Sequence, residues 1–323
     1  MMDMSFVVGE SENNLRIEKA IVKFAQTNNF ILNFRDVSIF LRKGLLYHNE
    51  KKVKRSMIVQ EGDRILVKYF HHRHVATEKK QINEEIAEAF LIKVRKNIIY
   101  DTKDFLVLNK EAGWAVQGGS NIKVSIDDIL PLLDDKCTMK LVHRIDMRTS
   151  GALLIAKNGN YAKVLSEMFA QHEIRKIYIG IVVMNDLSIS IRDNSVTHDV
   201  IKYYEKDRLK QRDAITKHKV LCRSPEANIM LMQFEIETGR KHQVRIHAMN
   251  AGMPILGDEK YGRRKKILAQ GHIHDEMFLH SYRVQFEYKN DKVDVIAPLP
   301  THFIEMCNEY FPSISIKNRM FEN

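Results

Sequence analysis

Between residues 98 and 310 the apolar side chains gather in short runs: "FLVLNK" from Phe105, "ALLIAK" from Ala152, "KIYIGIVV" from Lys176, "NIMLMQFEIE" from Asn228 and "YRVQFEYK" from Tyr282. Each is six to ten residues long and rich in Val, Ile, Phe or Tyr, which fits buried or half-buried strands. Only two segments here carry clear helical signals. "YAKVLSEMFAQ" sets Tyr161, Leu165, Met168 and Phe169 on one face. "RKHQVRIHAMNAG" begins after Thr238-Gly239 and ends at Gly252, with Pro254 two residues on. Strands with interspersed helices, rather than strict alternation, predict an α+β domain and not a βαβ-type parallel sheet.

A smaller unit stands in front. "LRIEKAIVKFAQ" and "VSIFLRKG" read as helices, the second stopped by Gly44, and "LLYHN" and "RILVKYF" as strands, the latter entered through the "EGD" turn. Its polar face carries Arg16, Lys19, Arg35, Arg42, Lys43, Lys51, Lys52, Lys54 and Arg55. Such a display suits phosphate contacts, with a solvated basic surface as the alternative. A highly charged stretch follows. Its His71, His72 and His74 lack an acidic or sulfur partner at fixed spacing, so they read as linker rather than metal ligands.

Among 323 residues, Lys and Arg number 51 against 41 Asp and Glu, a formal net charge of +10. That surplus points to polyanionic partners, nucleic acid first and anionic membrane second. No apolar run approaches the ~20 residues needed to span a bilayer, and the acidic start "MMDMSFVVGESENN" has neither signal-peptide nor transit character, so a cytoplasmic location is expected. Cys137, Cys222 and Cys307 lie far apart with no CxxC pair, which fits reduced thiols.

Three basic stretches hold the candidate chemistry. In "HRIDMRTSG", Asp146 is a lone acid among His143, Arg144 and Arg148, just before a strand. Surrounding cations favour the ionised carboxylate, which can serve as nucleophile or general base; an N-cap or surface ion pair is the bland alternative. Thr149, Ser150 and Gly151 read as a tight polar turn holding that loop. In "TGRKHQVRIHAMNAGMPILGDEKYG", Arg240 and Arg245 sit near a helix start with His242, Gln243 and His247. Cations there oppose the helix dipole, so an anionic partner is expected: an internal carboxylate, a phosphate, or both. In "RKIYIGIV", Lys176 and Tyr178 share one strand face, where a tyrosine could stack on a base while the lysine takes a phosphate. A half-buried strand tyrosine is the alternative.

Taken together, "HRIDMRTSGALLIAKN", "RKIYIGIV", "TGRKHQVRIHAMNAGMPILGDEKYG", the opening "IIYDTKDFLVLNKEAGWAVQGG" and the later "FLHSYRVQFEY" resemble the signature segments of the RluA family of pseudouridine synthases. "RIEKAI" with "VSIFLRKGLLYHNEKKVKRSMIVQEGDRILV" resembles an S4-type RNA-binding domain. "AVQGGS" is similar to a loop of the subgroup that modifies several sites of bacterial large-subunit ribosomal RNA. Departures are Glu18 and Glu50 in the first domain, where Asp and Gly are usual, and Glu111, Ile145 and Lys241 in the second, where Pro, Leu and Thr are.

The resemblance implies an α+β protein: a small S4-type α/β RNA-binding domain over 1–75, a linker over 76–97, and a pseudouridine synthase catalytic domain over 98–323 with a mixed, mostly antiparallel sheet. It implies a monomeric enzyme that isomerises specific uridines of 23S ribosomal RNA to pseudouridine, without cofactor, metal or membrane. Asp146 matches the catalytic carboxylate, Arg245 its arginine partner, and Tyr178 the tyrosine that stacks on the flipped-out base. Arg144 matches the arginine that displaces the nucleotide. His143, Thr149, Lys176, Arg240, His242 and Gln243 are expected to bind substrate, and Arg16, Arg42, Lys43, Lys51, Lys52, Lys54 and Arg55 to bind RNA. A non-catalytic ribosome-assembly factor and the same chemistry on transfer RNA remain alternatives. His272, His274, Asp275 and His280 form a second possible metal group.

Overall fold

The computed structural model describes residues 2–28, 32, 34–53, 56–70, 84–119, 122–134, 138–184, 195–205, 208–224, 226–262 and 276–312. Lys54, Arg55, His71, His72, His74, Cys137, His272, His274 and Asp275 lie outside them. The chain divides into two compact units, residues 1–83 and 84–323.

In the first unit, β1 (Met2–Val7), β2 (Leu46–His48), β3 (Lys51–Lys52) and β4 (Arg64–Phe70) form an antiparallel sheet in the order β1-β4-β2-β3. Helices α1 (Ile17–Thr27) and α2 (Phe34–Lys43) complete it. Both predicted helices and both predicted strands are present, and Gly44 ends α2 at φ +67°. Strand β1 is an addition. Met4, Phe6 and Val8 alternate inward and are buried with Ile17, Ile21, Ile65 and Val67, a period of two hidden inside a stretch that reads first as acidic.

The second unit opens with α3 (Glu84–Lys96), where the sequence suggests linker. The helix buries Ala87, Phe90 and Val94, and the Phe90 ring meets Trp114 edge-on at 5.1 Å. Its high charge belongs to the outer face and conceals this apolar stripe. Then follow β5 (Ile98–Asp101), β6 (Phe105–Lys110), α4 (Ile126–Leu133), β7 (Lys140–Leu141), β8 (Ser150–Ala156), α5 (Gly159–Ala170) and β9 (Arg175–Val183). The chain continues through β10 (Ser195–Glu205), β11 (Arg208–Arg223), β12 (Ile229–Ile236), α6 (Gln243–Asn250), β13 (Leu279–Tyr288), β14 (Asp291–Ile296) and α7 (Thr301–Tyr310).

The strands join in one sheet of order β10-β11-β12-β9-β13-β8-β6-β5, with β14 on β13 and β7 on β8. Its pairings are antiparallel except β8 with β13, where His280 faces Ser150 and Ser281 faces Gly151. The sheet is therefore mixed and mostly antiparallel. One apolar layer packs Ile179, Ile181, Leu231 and Phe278 against Phe303, Met306 and Phe311 of the α7 region. Another packs Phe105, Leu154, Phe286 and Val295 against Leu165 and Met168 of α5. Strand β8 is buried throughout. It holds the segment just before it, residues 142–149, against the middle of the sheet.

Candidate active site

Asp146 lies in that segment. The Thr149 N–H closes a turn onto the Asp146 carbonyl at 3.1 Å, and β8 starts at Ser150. The polar trio is thus part turn and part strand. Gly151 holds φ +105°, and a Cβ there would stand 2.2 Å from the Ser281 carbonyl oxygen. Only glycine admits the close parallel crossing that anchors the Asp146 loop.

A cleft enclosing about 420 Å³, open solvent at its mouth included, is lined by Arg144, Ile145, Asp146, Thr149, Tyr178, Ile236, Gly239, Arg240, His242, Gln243, Val244, Arg245 and Leu279. One carboxylate shares the cleft with three arginines, an imidazole and a phenol among apolar side chains. Asp146 keeps 24% of its side chain exposed, and Arg245 Nη1 donates to its Oδ2 at 3.2 Å.

Arg245 is itself held by a second acid. Its Nε and Nη2 donate to Oδ2 and Oδ1 of Asp258 at 2.7 and 2.8 Å, and the Asp258 side chain is fully buried. Asp258 also accepts the backbone N–H groups of Lys260 and Tyr261. Burial opposes both charges, yet the pair's bonds hold Arg245 above its ordinary value and Asp258 below its own. A cation in the first turn of α6 is thus compensated by internal carboxylates, one of the partners the dipole argument allows. Gly257, at φ +74°, lets the Asp258 loop pass where a Cβ would stand 1.7 Å from the Glu276 carbonyl oxygen.

Tyr178 is buried in β9 between Phe234 and Ser281. Burial first, and Asp146 next, push its phenol up to about 12 against the Ser281 hydrogen bond. It is a neutral hydroxyl at physiological pH. Thr149 is buried at the cleft, and Arg144 is exposed there. Arg240 Nε donates to the Asp213 carbonyl at 3.0 Å. Gln243 is saturated: its Oε1 accepts from Thr238 and the Arg240 N–H, and its Nε2 donates to Ile215 and Thr216. It ties the loop before α6 to β11.

Two expected substrate ligands do not line the cleft. His143 stacks on Phe169 at 4.4 Å and accepts the Leu154 N–H at 2.8 Å, and burial pushes its imidazole down to about 3. Lys176, two residues from Tyr178 on the same strand face, donates to the Glu237 carbonyl and stands 5.8 Å from the Phe169 ring centre. Both brace the walls. His280 is buried with Nδ1 2.8 Å from Ser150 Oγ and Nε2 3.1 Å from the Ala297 carbonyl, so both ring nitrogens are engaged inside the fold.

Three residues beside the cleft escaped the sequence reading. Besides Asp258 there is Tyr261, whose ring lies 5.1 Å from the Arg245 guanidinium. The third is Lys110, fully buried, whose Nζ donates to the carbonyls of Glu111, Trp114 and Met147 at 2.9–3.0 Å. Burial pushes its amine down to about 7 against the pull of Asp146 and Glu111. Three acceptors match the three N–H donors of the ammonium form, so Lys110 pins both the 111–114 loop and the Asp146 loop. A lysine closing an apolar strand was the available signal.

In the first unit Arg42 and Lys43 end α2, Lys51 and Lys52 form β3, and Arg16 stands just ahead of α1, all of them exposed. The Lys52 side chain passes so close to Gly44 that a Cβ there would meet it at 2.2 Å, which brings the α2 terminus and β3 into one basic patch.

Residues 104–250 match the family described as RNA pseudouridylate synthase. "Ribosomal large subunit pseudouridine synthase C" of Rickettsia bellii is 33% identical over 272 residues, covering 81% of this chain and 88% of the relative. The protein of that name from Vibrio cholerae is 31% identical over 271 residues, covering 81% and 84%. The solved structure of Human RNA Pseudouridylate Synthase Domain Containing 4 aligns with a TM-score of 0.57 at 21% identity, covering 70% of this chain and 97% of that one, which is a likeness of fold.

Proposed function

The chain belongs to the RNA pseudouridylate synthase family, and on that premise we propose that Asp146 is the carboxylate with which it isomerises uridines of 23S ribosomal RNA to pseudouridine. The reaction breaks the N1–C1′ bond, turns the uracil and joins C5 to C1′; the C5 hydrogen leaves as a proton and N1 takes one up. Nothing is oxidised and no group departs, so this chemistry calls for no cofactor.

The observation that carries the reading is the cleft in which Asp146 Oδ2 meets Arg245 Nη1 at 3.2 Å beside Tyr178. An ionised carboxylate can attack C1′ or take the C2′ proton, and Arg245 holds one of its oxygens in place for either course. The arginine fork suits this because it stays protonated and leaves Nη1 for Asp146 while two other nitrogens hold Asp258. Tyr178, as a neutral phenol, offers its ring to the base that leaves the stack. Arg144, exposed at the mouth, takes the nucleotide's phosphate. The basic residues of the first unit hold the RNA as an S4-type domain does, and one chain acts alone.

Asp146→Asn keeps the shape and removes the charge. With large-subunit RNA labelled by tritium at uridine C5, the wild-type protein is expected to release tritium and the variant none, while RNA affinity stays within a few-fold. Turnover by Asp146→Asn would refute the assignment. The large-subunit target rests on the names of the relatives. It is tested by mapping pseudouridines in ribosomal RNA from cells with and without the protein; an unchanged map in large-subunit RNA overturns that part.

A further inference from the structure

His242 adopts a backbone that side chains disfavour, φ +58° and ψ +24°, as the residue before α6, and its side chain caps no helix N–H. A left-handed non-glycine residue persists where its surroundings over-determine it. Here the surroundings fix the ring: Nδ1 lies 2.9 Å from the Tyr261 hydroxyl, and Nε2 lies 3.7 Å from Asp146 Oδ1. Tyr261 meets the ring edge-on, with centres 5.6 Å apart at 73°. Tyr261 is fixed in turn by its N–H on the buried Asp258 and by its ring beneath Arg245.

The charged groups facing the imidazole are Asp146 from the loop before β8, Arg245 from α6, Lys260 from the Asp258 loop and Lys241 beside it in the chain. Burial first, then the three cations, push it down to about 4 against Asp146. The ring is therefore neutral at physiological pH and carries one hydrogen. Were that hydrogen on Nδ1, the Nε2 lone pair would face an anionic oxygen. With the Tyr261 hydroxyl donating to Nδ1, the hydrogen sits on Nε2 and faces Asp146 instead.

We infer that His242 is a positioning residue: Tyr261 locks it as the neutral Nε2–H tautomer, which steadies Oδ1 of Asp146 opposite the grip of Arg245 on Oδ2. The pair thus sets the direction in which the carboxylate meets the ribose, without adding charge. The inference rests on Asp146 being the reacting group. At 3.7 Å the bond is not yet made; it forms when RNA fills the cleft and the two loops close by less than 1 Å, as catalytic hydrogen bonds commonly tighten in the complex.

The test is tritium release by the full-length protein from C5-tritiated large-subunit RNA, as kcat and KM between pH 5.5 and 8.5. Tyr261→Phe keeps the ring under Arg245 and removes only the hydroxyl; its kcat is expected to fall about tenfold, with KM and melting temperature unchanged. His242→Gln, which retains a neutral N–H, is expected to recover most of what His242→Ala loses. Wild-type kcat should not decline as pH rises from 5.5 to 7.5, because no protonated imidazole is involved. Wild-type kcat in Tyr261→Phe, a Gln variant no better than Ala, or activity lost as pH passes 6.5 would each overturn the role. If His242→Ala does not fold, Tyr261→Phe and the wild-type pH profile still decide. A wild-type protein that releases no tritium overturns the reading of the cleft itself, whereas an active one beside an equally active Tyr261→Phe overturns only the His242 assignment.

Discussion

At the scale of residues, one guanidinium divides between two acids. Asp258 takes two of the Arg245 nitrogens and leaves Nη1 for Asp146, so the orientation of the Asp146 carboxylate depends on a second acid that is fully buried. Asp258→Asn leaves a buried arginine short of its counter-charge. The expected outcome is a loss of about 3 kcal/mol in stability together with a kcat reduced about a hundredfold, read by urea unfolding and tritium release. Wild-type values in both would remove Asp258 from the machinery. Asp146, Arg245 and Tyr178 could be picked out of the sequence because each sits in a distinctive string. Asp258 was not, and Lys110 offered only its place at the end of an apolar strand, because their importance lies in partners that folding brings near: Asp258 is 13 positions from Arg245, and Lys110 is 37 from Met147.

At the scale of elements, glycine is present where backbones touch and absent where a turn would welcome it. Asn49 and Glu50 connect β2 to β3 with φ of +45° and +66°, a hairpin turn in which Asn-Gly is preferred. Glu50→Gly should relieve the left-handed glutamate and stabilise the first unit by about 1 kcal/mol, visible as a higher urea midpoint; an unchanged or lower midpoint contradicts this. The reverse applies at Gly151, where a methyl group would enter the Ser281 carbonyl. Gly151→Ala is expected to lose about 2–4 kcal/mol and, by shifting the Asp146 loop, most activity; a variant as stable and active as wild type would show the crossing to be slack. Strands β6, β9 and β12 were legible because each contains an unbroken run of at least four apolar residues buried on both faces. Helix α3 was not, because exposed charges flank its apolar stripe. Ribbon β10–β11 was not either, since "SVTHDVIKYYE" and "RLKQRDAITKHKVLCR" mix polar and apolar residues without a clean period.

At the scale of the molecule, buried neutral histidines set how stability responds to acid. His280 is held at about 4 and His143 at about 3, burial being the leading cause in each. Between such a value and the ordinary 6.5, the unfolded chain binds a proton that the native one refuses, so stability falls as pH drops through that window. For His280 alone the loss at pH 5 is about 2 kcal/mol. Calorimetry should record a melting temperature that declines from pH 7 to pH 5; a flat profile would mean these rings are not neutral in the fold. Charge acts at long range in the first unit too. Reversing Lys51 and Lys52 to Glu should lower RNA affinity and reduce the slope of log K against log salt by about 1.5–2, with the melting temperature unchanged. An unaltered slope would place the RNA elsewhere.

By itself the sequence determined the strand-length runs, two helices of the second unit, the separation of a basic leading unit and the strings around Asp146, Tyr178 and Arg245. These depend on local periodicity and on residue types at fixed spacing. Only the tertiary structure decided that Arg245 is shared, that Lys110 joins two loops, that His143 and Lys176 brace rather than line the cleft, and that His242 meets both Tyr261 and Asp146. The reason is distance along the chain: Arg245 is 99 positions from Asp146, Lys176 is 61 from Glu237 and Lys110 is 37 from Met147, and no local pattern encodes which side chains folding brings together over such separations.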